Sequence, residues 1–492
     1  MQFFKAPSKS KSKSKISIRL VLLITSCSLC AILYIFYNFI STPTENIRFS
    51  TSQNDVSSPM SLEHLVFGIA SNQKSWIDRK NYVKIWWRPQ EMKGCVFLEE
   101  NIPPSNTSSD LPPICVSGDT TPFRYTYRNG LRSAIRVARV VSETFALNHS
   151  NVRWFVFGDD DTVFFPENLV KILSKYDHGL WYYIGTNSES FGQNKLFSYE
   201  MAFGGAGFAI SYPLAKVLAK IFDPCLERYP HLYGSDGRIH ACVTELGVAL
   251  THEPGFHQID VRGNMFGFLA SHPLSPLVSL HHLDATDPIF PNMTTINSLH
   301  HLFQAVTIDS QRILQQTVCY DRWFSWTISI SWGYAIQIFP HNVNLHDALR
   351  TQETYVPWRK GGGVNNLYGV DTAGLEADPC RRPPVFFLDK VWLSGDRVRS
   401  SYRRMYGSEN CAFDTGSPRK LEQVMVFSQK MELDYKQVKT GCSVSLVNNS
   451  LQIIDYLVSI YVRPSSNFHF LNEKIYDSKY HFSYFNMSFF LL

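Results

Sequence analysis

The stretch VRWFVFGDDDTVFF, residues 152–165, places three carboxylates directly after an apolar segment. The apolar part predicts a buried central β-strand, and the carboxyl end of such a strand opens on the crevice where α/β sheets bind ligands. Adjacent carboxylates repel one another, so Asp159, Asp160 and Asp161 indicate a bound cation. Carboxylate oxygens suit Mg²⁺ or Mn²⁺, and such an ion can hold a diphosphate. The alternative is an acidic turn on a solvated loop.

Strands and helices are predicted to alternate on both sides of this stretch, which is typical of an α/β sheet sandwich. Apolar residues recur every three to four positions along residues 129–148 and predict an amphipathic helix there; they are Leu131, Ile135, Ala138, Val141 and Phe145. Further strands are predicted over 64–70, 94–98 and 180–185, and further helices over 76–87, 166–176 and 213–221.

The remainder of the chain is organised differently. Residues 291–445 contain Trp-rich strands and a Gly/Pro-rich stretch, and we interpret them as an accessory β-rich region. Residues 446–492 follow no clear period and are left unassigned. The remaining predicted segments are a basic tail at 1–19, a membrane anchor at 20–40, a stem at 41–60 and an α/β domain at 61–290.

The charge of the chain is concentrated in its first residues. The protein has 492 residues, with 47 Lys plus Arg against 42 Asp plus Glu. Six of the bases precede the first acid, Glu45, so the rest of the chain has 41 bases against 42 acids. A nearly neutral body argues against nucleic acid as a partner.

An uncharged apolar run of 21 residues, 20–40, follows the basic tail. As a helix it would span roughly 30 Å, the thickness of a bilayer core. The positive-inside rule then predicts a type II membrane protein with its body in the lumen. A cleaved signal peptide and a plastid transit peptide are the alternatives.

The cysteines beyond the apolar run agree with an oxidising compartment, because their number is even and none lies at zinc-binding spacing. They are Cys95, Cys115, Cys225, Cys242, Cys319, Cys380, Cys411 and Cys442. Cys225 and Cys242 flank a Gly-rich loop and are candidates to lock it with a disulfide.

Three ordered motifs resemble those of the Fringe-like beta-1,3-glycosyltransferases, a superfamily similar to glycosyltransferase family 31. They are WFVFGDDDTVFFPENL at 154–169, FGGAGFAIS at 203–211 and VSLHHLD at 278–284. The resemblance covers residues 61–290, and the whole chain looks like the plant DUF604 branch. It implies a GT-A type fold, a UDP-sugar donor and Mn²⁺.

The resemblance also implies roles for individual residues. Asp161 and His281 would ligate the metal, with His282 as the alternative histidine, and Asp160 would contact the donor. Arg79 would contact the nucleotide, or it is a solvated position on a helix. Gly204 and Gly205 would let the backbone approach the donor closely, or they form a tight turn.

Asp236, in the loop YGSDGRIH at 233–240, resembles the catalytic base of the family. The family has two acids in a row there, whereas this chain has Ser235 before Asp236. A base that accepts the acceptor hydroxyl proton would support single displacement, which gives inversion and a β-linkage. The alternative for Asp236 is an Asx-turn in a Gly-rich loop.

The sequence therefore predicts a Golgi membrane enzyme that transfers a hexose, of the galactose or N-acetylglucosamine type, to a glycan or glycoprotein acceptor. A catalytically inactive carbohydrate-binding Golgi protein with the same fold is the second hypothesis. A glycoside hydrolase that uses two carboxylates is a third, but hydrolases need no metal and no nucleotide site.

Overall fold

The computed structural model describes residues 58–103, 108–271, 275–321, 323–405, 411–412, 414 and 416–431, and the backbone alone of 443–447, 450–454 and 458–464. The described residues from Met60 onward belong to one compact unit. The predicted tail, anchor and nearly all of the stem lie outside the described residues, as does most of 446–492. Within the described part, no helix is both long and apolar enough to cross a membrane.

The chain contains two large sheets, three two-stranded ones and nine α-helices within the described residues. The strands are β1 Leu65–Ala70, β2 Lys93–Leu98, β3 Ile114–Val116, β4 Trp154–Asp159, β5 Val163–Phe164, β6 Tyr183–Gly185, β7 Phe208–Ser211, β8 Leu250–His252, β9 Val261–Gly263, β10 Ser279–Leu280, β11 Gln316–Tyr320, β12 Thr327–Ser331, β13 Ala335–Phe339, β14 Thr351–Gln352, β15 Tyr355–Pro357, β16 Thr372–Ala373, β17 Val385–Ser394, β18 Arg397–Arg404, β19 Leu421–Gln429, β20 Ser443–Val447, β21 Ser450–Ile454 and β22 Val458–Pro464. The helices are α1 Gln73–Trp86, α2 Ser133–Ala146, α3 Pro166–Leu173, α4 Phe191–Leu196, α5 Tyr212–Arg228, α6 Ser235–Glu245, α7 Phe266–Ala270, α8 Thr295–Asp309 and α9 Leu345–Leu349.

The first sheet has the order β3-β2-β1-β4-β7-β6-β8. Its strands are parallel except β7, which runs antiparallel to both of its neighbours. Successive residues of β1 enter opposite cores: Phe67 packs with α1 on one face, and Val66 packs with α2, α5 and α6 on the other. This layering confirms the predicted α/β class.

Helix positions follow the burial of their apolar faces. Helix α2 buries Ile135, Ala138 and Val141 as predicted, but it starts at Ser133, so Leu131 lies before it and is 73% exposed. Helix α5 continues to Arg228, seven residues past its predicted end, although Pro224 lies inside it. It continues because the residues after the predicted end, including Phe222, are buried in the core.

The second sheet is antiparallel throughout and has the order β11-β12-β13-β17-β18-β19-β22-β21-β20. It shares one apolar core with a face of the first sheet, since Phe67, Val156, Ile336 and Phe386 belong to the same buried cluster. Strand β15 also pairs antiparallel with β9. The β-rich part of the chain therefore packs directly on the α/β part.

Three disulfides are formed among the described residues: Cys95–Cys115, Cys225–Cys242 and Cys380–Cys411. Cys319 is also disulfide-bonded, while Cys442 lies outside the described residues. The bond between Cys225 and Cys242 joins α5 to α6 and thereby restrains the loop between them.

Candidate metal centre at the carboxyl edge of the first sheet

The carboxyl ends of β1, β4, β6 and β8 lie along one edge of the first sheet, because these four strands run in the same direction. Strand β4 ends at Asp159, and β1 beside it ends at Ala70. Open α/β sheets bind ligands at this edge. The acidic triplet therefore lies where the sequence predicts it.

A short strand pair brings His281 to the triplet. Strand β10 pairs antiparallel with β5, with Leu280 opposite Val163. Since β5 begins two residues after Asp161, the residue that follows Leu280 reaches the carboxylates. His281 Nε2 lies 3.1 Å from Asp161 Oδ1 and 3.8 Å from Asp159 Oδ2. Asp159, Asp161 and His281 each offer a ligand atom, and these atoms lie within 4.8 Å of one another.

These three residues fit a divalent metal ion. Both oxygens of Asp161 are buried, and each faces a positively charged group, His281 Nε2 at 3.1 Å and Arg79 Nη1 at 3.2 Å, so this carboxylate lies in a setting that favours a nearby cation. His281 Nδ1 lies 3.3 Å from the Gln258 carbonyl, which can only accept a hydrogen bond, so Nδ1 carries a proton and Nε2, which faces Asp161, is the nitrogen that a metal ion could bind in place of a proton. Metal-binding histidines are commonly oriented by such a bond. A mixture of carboxylate and imidazole suits Mn²⁺.

Opposite charges surround the buried carboxylates. Burial alone would raise the pKa of Asp161, but His281 and Arg79 hold it below its ordinary value. Burial likewise acts to lower the pKa of His281, but the neighbouring carboxylates raise it to about 9. Burial raises the pKa of Asp159 to about 7, and the charge of Asp161 adds to this effect.

Asp160 is not part of the metal group, and its carboxylate contacts the segment that follows β1. Its Oδ2 accepts hydrogen bonds from the hydroxyls of Ser71, at 2.6 Å, and Ser75. Its Oδ1 lies 3.2 Å from Arg79 Nη1. Asp160 is 3% exposed, so it ties the acidic loop to the segment that leaves β1. Its predicted contact with a donor stays a prediction.

Arg79, on α1, is a second cation, besides His281, that faces this acidic cluster. Besides Asp160, it contacts Asp161 at 3.2 Å and Asp284 at 2.8 Å. Tyr82, one turn along α1, donates its hydroxyl proton to the other oxygen of Asp284. The Arg79 side chain remains one-third exposed, so it is accessible from the solvent side of the site.

The two glycines predicted to approach a donor pack against functional side chains of the protein itself. A Cβ at Gly205 would lie 2.1–2.5 Å from three ring atoms of His281, and one at Gly204 would lie 2.7 Å from Asp236 Oδ1. Gly207 has a φ of +82°, which favours glycine. The Gly-rich segment thus packs against Asp236 at Gly204 and against His281 at Gly205.

Asp236 lies in the first turn of α6. Its carboxylate accepts hydrogen bonds from the backbone of Gly204 and from the Ser235 hydroxyl, at 3.0 Å for the latter. Burial raises the pKa of Asp236, so the carboxyl group is a stronger base than an exposed aspartate. Asp159 and Asp236 both line a cavity of about 20 Å³, which links the candidate base to the metal group.

The two adjacent histidines face different partners. His282 has a φ of 56° and its Nδ1 lies 3.0 Å from Asp260 Oδ1, away from the triplet. Its ring stacks on Trp358, with centroids 4.4 Å apart. Among the described residues, only His281 joins Asp159 and Asp161 in a group that could hold a metal.

The sequence predicts a cation at the triplet that includes Asp159 but indicates no individual role for Asp159, and it assigns no role to Asp284 or Asp260. Asp159 and Asp284 lie within quoted motifs, but a single sequence does not show which carboxylate of a triplet faces the metal. The signal for Asp284 is its position three residues after His281 in VSLHHLD. Asp260 has no comparable signal, because its role depends on the position of His282.

The fold and the site define a mixed α/β protein with a buried carboxylate–histidine group able to hold a metal ion. A family model described as "Protein of unknown function, DUF604" matches residues 193–443, half of the chain. The chain belongs to this family. No curated protein matches the sequence.

Solved structures with some similarity to this chain are glycosyltransferases. The catalytic domain of Drosophila beta-1,4-galactosyltransferase 7 in complex with xylobiose is 11% identical over 38% of this chain, with a TM-score of 0.23; the match spans 63% of that domain. The galactosyltransferase LgtC with donor and acceptor sugar analogues is 13% identical over 48% of this chain and 94% of its own, with a TM-score of 0.29. A mannosyltransferase from Pyrobaculum calidifontis with GDP-Man and Mn²⁺ is 11% identical over 47% of this chain and 68% of its own, with a TM-score of 0.22.

Proposed function

We propose that this protein is an inverting glycosyltransferase of GT-A type that uses a UDP-sugar and Mn²⁺. The observation that carries the proposal is the convergence of Asp159, Asp161 and His281 at the carboxyl edge of the sheet, with Asp236 packed against the neighbouring Gly204. This arrangement supplies a place for a cation and a separate carboxylate for proton transfer. The three motifs that resemble Fringe-like enzymes support the same function.

Each residue has a distinct task in this proposal. Asp161 and His281, joined by Asp159, would hold Mn²⁺, which would supply positive charge to the donor diphosphate. Arg79 adds a fixed guanidinium from α1, with one-third of its surface open for a nucleotide contact. Asp160 orients Arg79 and the acidic loop. Gly204 and Gly205 let Asp236 and His281 pack closely against the backbone, and contact of this backbone with the donor stays a prediction.

Asp236 would accept the proton of the acceptor hydroxyl as that oxygen attacks the anomeric carbon. The carbon–oxygen bond to the acceptor forms while the bond to UDP breaks, so one displacement inverts an α-linked donor to a β-linked product. Its raised pKa favours proton acceptance near neutral pH. Ser235 replaces the first acid of the family pattern and donates its hydroxyl proton to Asp236.

The proposal extends to topology and partners. We propose that the run at 20–40 anchors the chain in the Golgi membrane and that the body acts in the lumen, where disulfides are stable. The donor would carry a galactose- or N-acetylglucosamine-type hexose, the acceptor would be a glycan or glycoprotein, and the linkage would be beta-1,3. Nucleic acid has no role in this proposal.

Two substitutions separate metal binding from proton transfer. The full-length protein is purified, and binding of a UDP-sugar panel is measured by calorimetry with Mn²⁺ and with EDTA. Asp161→Asn is expected to abolish Mn²⁺-dependent donor binding. Asp236→Asn is expected to bind the donor normally and to lose at least a hundredfold in UDP-sugar hydrolysis or transfer, since general bases contribute about 10²–10⁴-fold.

Asp110→Asn is the control, because Asp110 is an exposed residue whose carboxylate pairs with Lys84 on the surface. It should leave both measurements unchanged. If no UDP-sugar binds to the wild-type protein in the presence of Mn²⁺, the proposed function is wrong. If a UDP-sugar binds to the wild type but the wild type and both variants show only background turnover, the protein is a catalytically inactive carbohydrate-binding protein with the same fold.

A further inference from the structure

A second cavity lies on the same edge of the first sheet, beyond the metal centre. It has a volume of about 220 Å³ and is bounded by the segments that follow β6 and β8. Because β6 and β8 run parallel to β4, both segments leave the sheet at the edge where Asp159 lies. The other wall comes from the β-rich part of the chain, through Thr351, Gly369 and Val370.

One segment of chain separates this cavity from the metal centre. His257 lines the cavity, while the carbonyl of the next residue, Gln258, lies 3.3 Å from His281 Nδ1. Ser188, in the segment that follows β6, donates a hydrogen bond of 2.6 Å to Asp260, whose other oxygen contacts His282. The cavity is therefore built into the scaffold that orients the metal-binding histidine.

The polar lining suits hydroxyl groups. Glu189 is 8% exposed, and its two oxygens contact His257 Nδ1 at 2.9 Å and the Ile259 backbone N–H at 2.7 Å. A carboxylate fixed in this way keeps lone pairs for ligand hydroxyls. Thr186 and Asn187 are partly exposed in the lining, and their side chains form no hydrogen bond with another described residue.

The apolar lining suits the face of a sugar ring. Phe256 and Phe268 form part of the wall, and Phe268 packs edge-on against His257, with centroids 5.2 Å apart. No Lys or Arg lines the cavity among the described residues, and one carboxylate does. That charge balance disfavours phosphates and other anions. The cavity, at about 220 Å³, has the volume of several waters of about 30 Å³ each. It is smaller than drug-sized sites, which start at about 300 Å³.

We propose that this cavity is a carbohydrate subsite that holds one neutral pyranose ring of the acceptor glycan. The identification of the sugar as part of an acceptor rests on the proposed function. Binding of a sugar ring in the cavity requires neither donor nor metal. It also gives the β-rich part of the chain a role, since that part supplies one wall. Val370 is 38% exposed and lies where the cavity meets solvent.

The test uses the full-length protein in EDTA, without UDP-sugar. Binding of methyl β-galactoside, methyl β-glucoside and methyl N-acetyl-β-glucosaminide is measured by saturation-transfer NMR and titration. At least one of these glycosides is expected to bind. Methyl β-galacturonide, the acidic counterpart of methyl β-galactoside, is expected to bind at least tenfold more weakly than the galactoside, because Glu189 repels its carboxylate. Asn187→Ala should weaken binding about tenfold through loss of a hydrogen bond, equivalent to about 1.4 kcal/mol.

Val370→Trp should abolish binding by filling the cavity, whereas Val364→Trp should not. Val364 is 40% exposed, similar to Val370, but does not line the cavity. Absence of binding by all three neutral glycosides, or equal binding to Val370→Trp and the wild type, would overturn the subsite. Mn²⁺-dependent UDP-sugar binding is measured on the same samples. If the glycosides do not bind but the UDP-sugar does, the subsite is wrong and the proposed function stands. If a glycoside binds but no UDP-sugar does, only the transferase function is rejected.

Discussion

Replacing Gly205 with alanine is the sharpest single test of the metal centre. The new Cβ would lie 2.1 Å from His281 Cε1, whereas ordinary van der Waals contact begins near 3.4 Å, so the overlap is about 1.3 Å. Either the imidazole or the Gly-rich segment must move by about that amount. Metal–ligand distances tolerate only about 0.2 Å, so the metal group is lost even if the chain still folds.

The energetic consequences of this substitution have two parts. Inserting a methyl group into a packed site costs about 1–3 kcal/mol of unfolding free energy. Loss of the metal removes a further stabilisation, which for a ligand present at a hundred times its dissociation constant is about 2.7 kcal/mol. In thermal unfolding, wild type is expected to show a rise in Tm on addition of Mn²⁺, and Gly205→Ala is expected to start lower and to show none.

Two further glycine variants make the result specific. Gly204→Ala crowds Asp236 instead of His281, so it should keep the Mn²⁺-dependent rise while losing turnover. Gly374→Ala places its Cβ in open space and should behave as wild type. If folded Gly205→Ala keeps the same Mn²⁺-dependent rise as wild type, then His281 is not a metal ligand and the reasoning fails.

Three other perturbations test the scaffold and the topology. Arg312→Met leaves Asp309 buried without its ion pair and should lower the unfolding free energy in urea by about 3–5 kcal/mol. Arg381→Met, in an exposed pair of the same spacing, should lower it by about 0–1 kcal/mol. Equal losses would contradict the role of burial. Replacing Cys225 and Cys242 by alanine removes the disulfide between α5 and α6. The unfolding free energy in a urea titration should fall by about 3 kcal/mol, because the disulfide closes a loop with a sequence separation of 17 residues. An unchanged unfolding free energy would show that the disulfide does not restrain the loop. Protease added to sealed Golgi vesicles should spare residues 61–492, and their digestion from outside would refute the type II topology.

The parts of the fold that the sequence predicts well are those with a strong local pattern. Strand β4 and helix α2 have continuous or periodic apolar positions, and both form where expected, within two to four residues at their ends. The extension of α5 past residue 221 is not visible in the same way, because Pro224 signals a helix end locally. Only the burial of Phe222 and Cys225 in the core overrides that signal.

The candidate site follows the same rule. The acidic triplet, Asp236 and His281 are found because each lies in a motif, and the structure places them near one another. The sequence does not show that Asp159 joins the metal group while Asp160 turns towards Ser71 and Ser75. That division depends on where β4 ends relative to β1, which is set by strand pairing rather than by local sequence.

The pairing of β9 with β15 has a consequence for how the chain folds. The stretch 261–263 hydrogen-bonds to residues almost a hundred positions later, and the apolar cluster beneath the first sheet is completed by side chains of the second. A chain that stopped at residue 290 would leave that edge unpaired and that cluster open to water, and would aggregate. The two parts are therefore expected to unfold together, which calorimetry would show as a single transition.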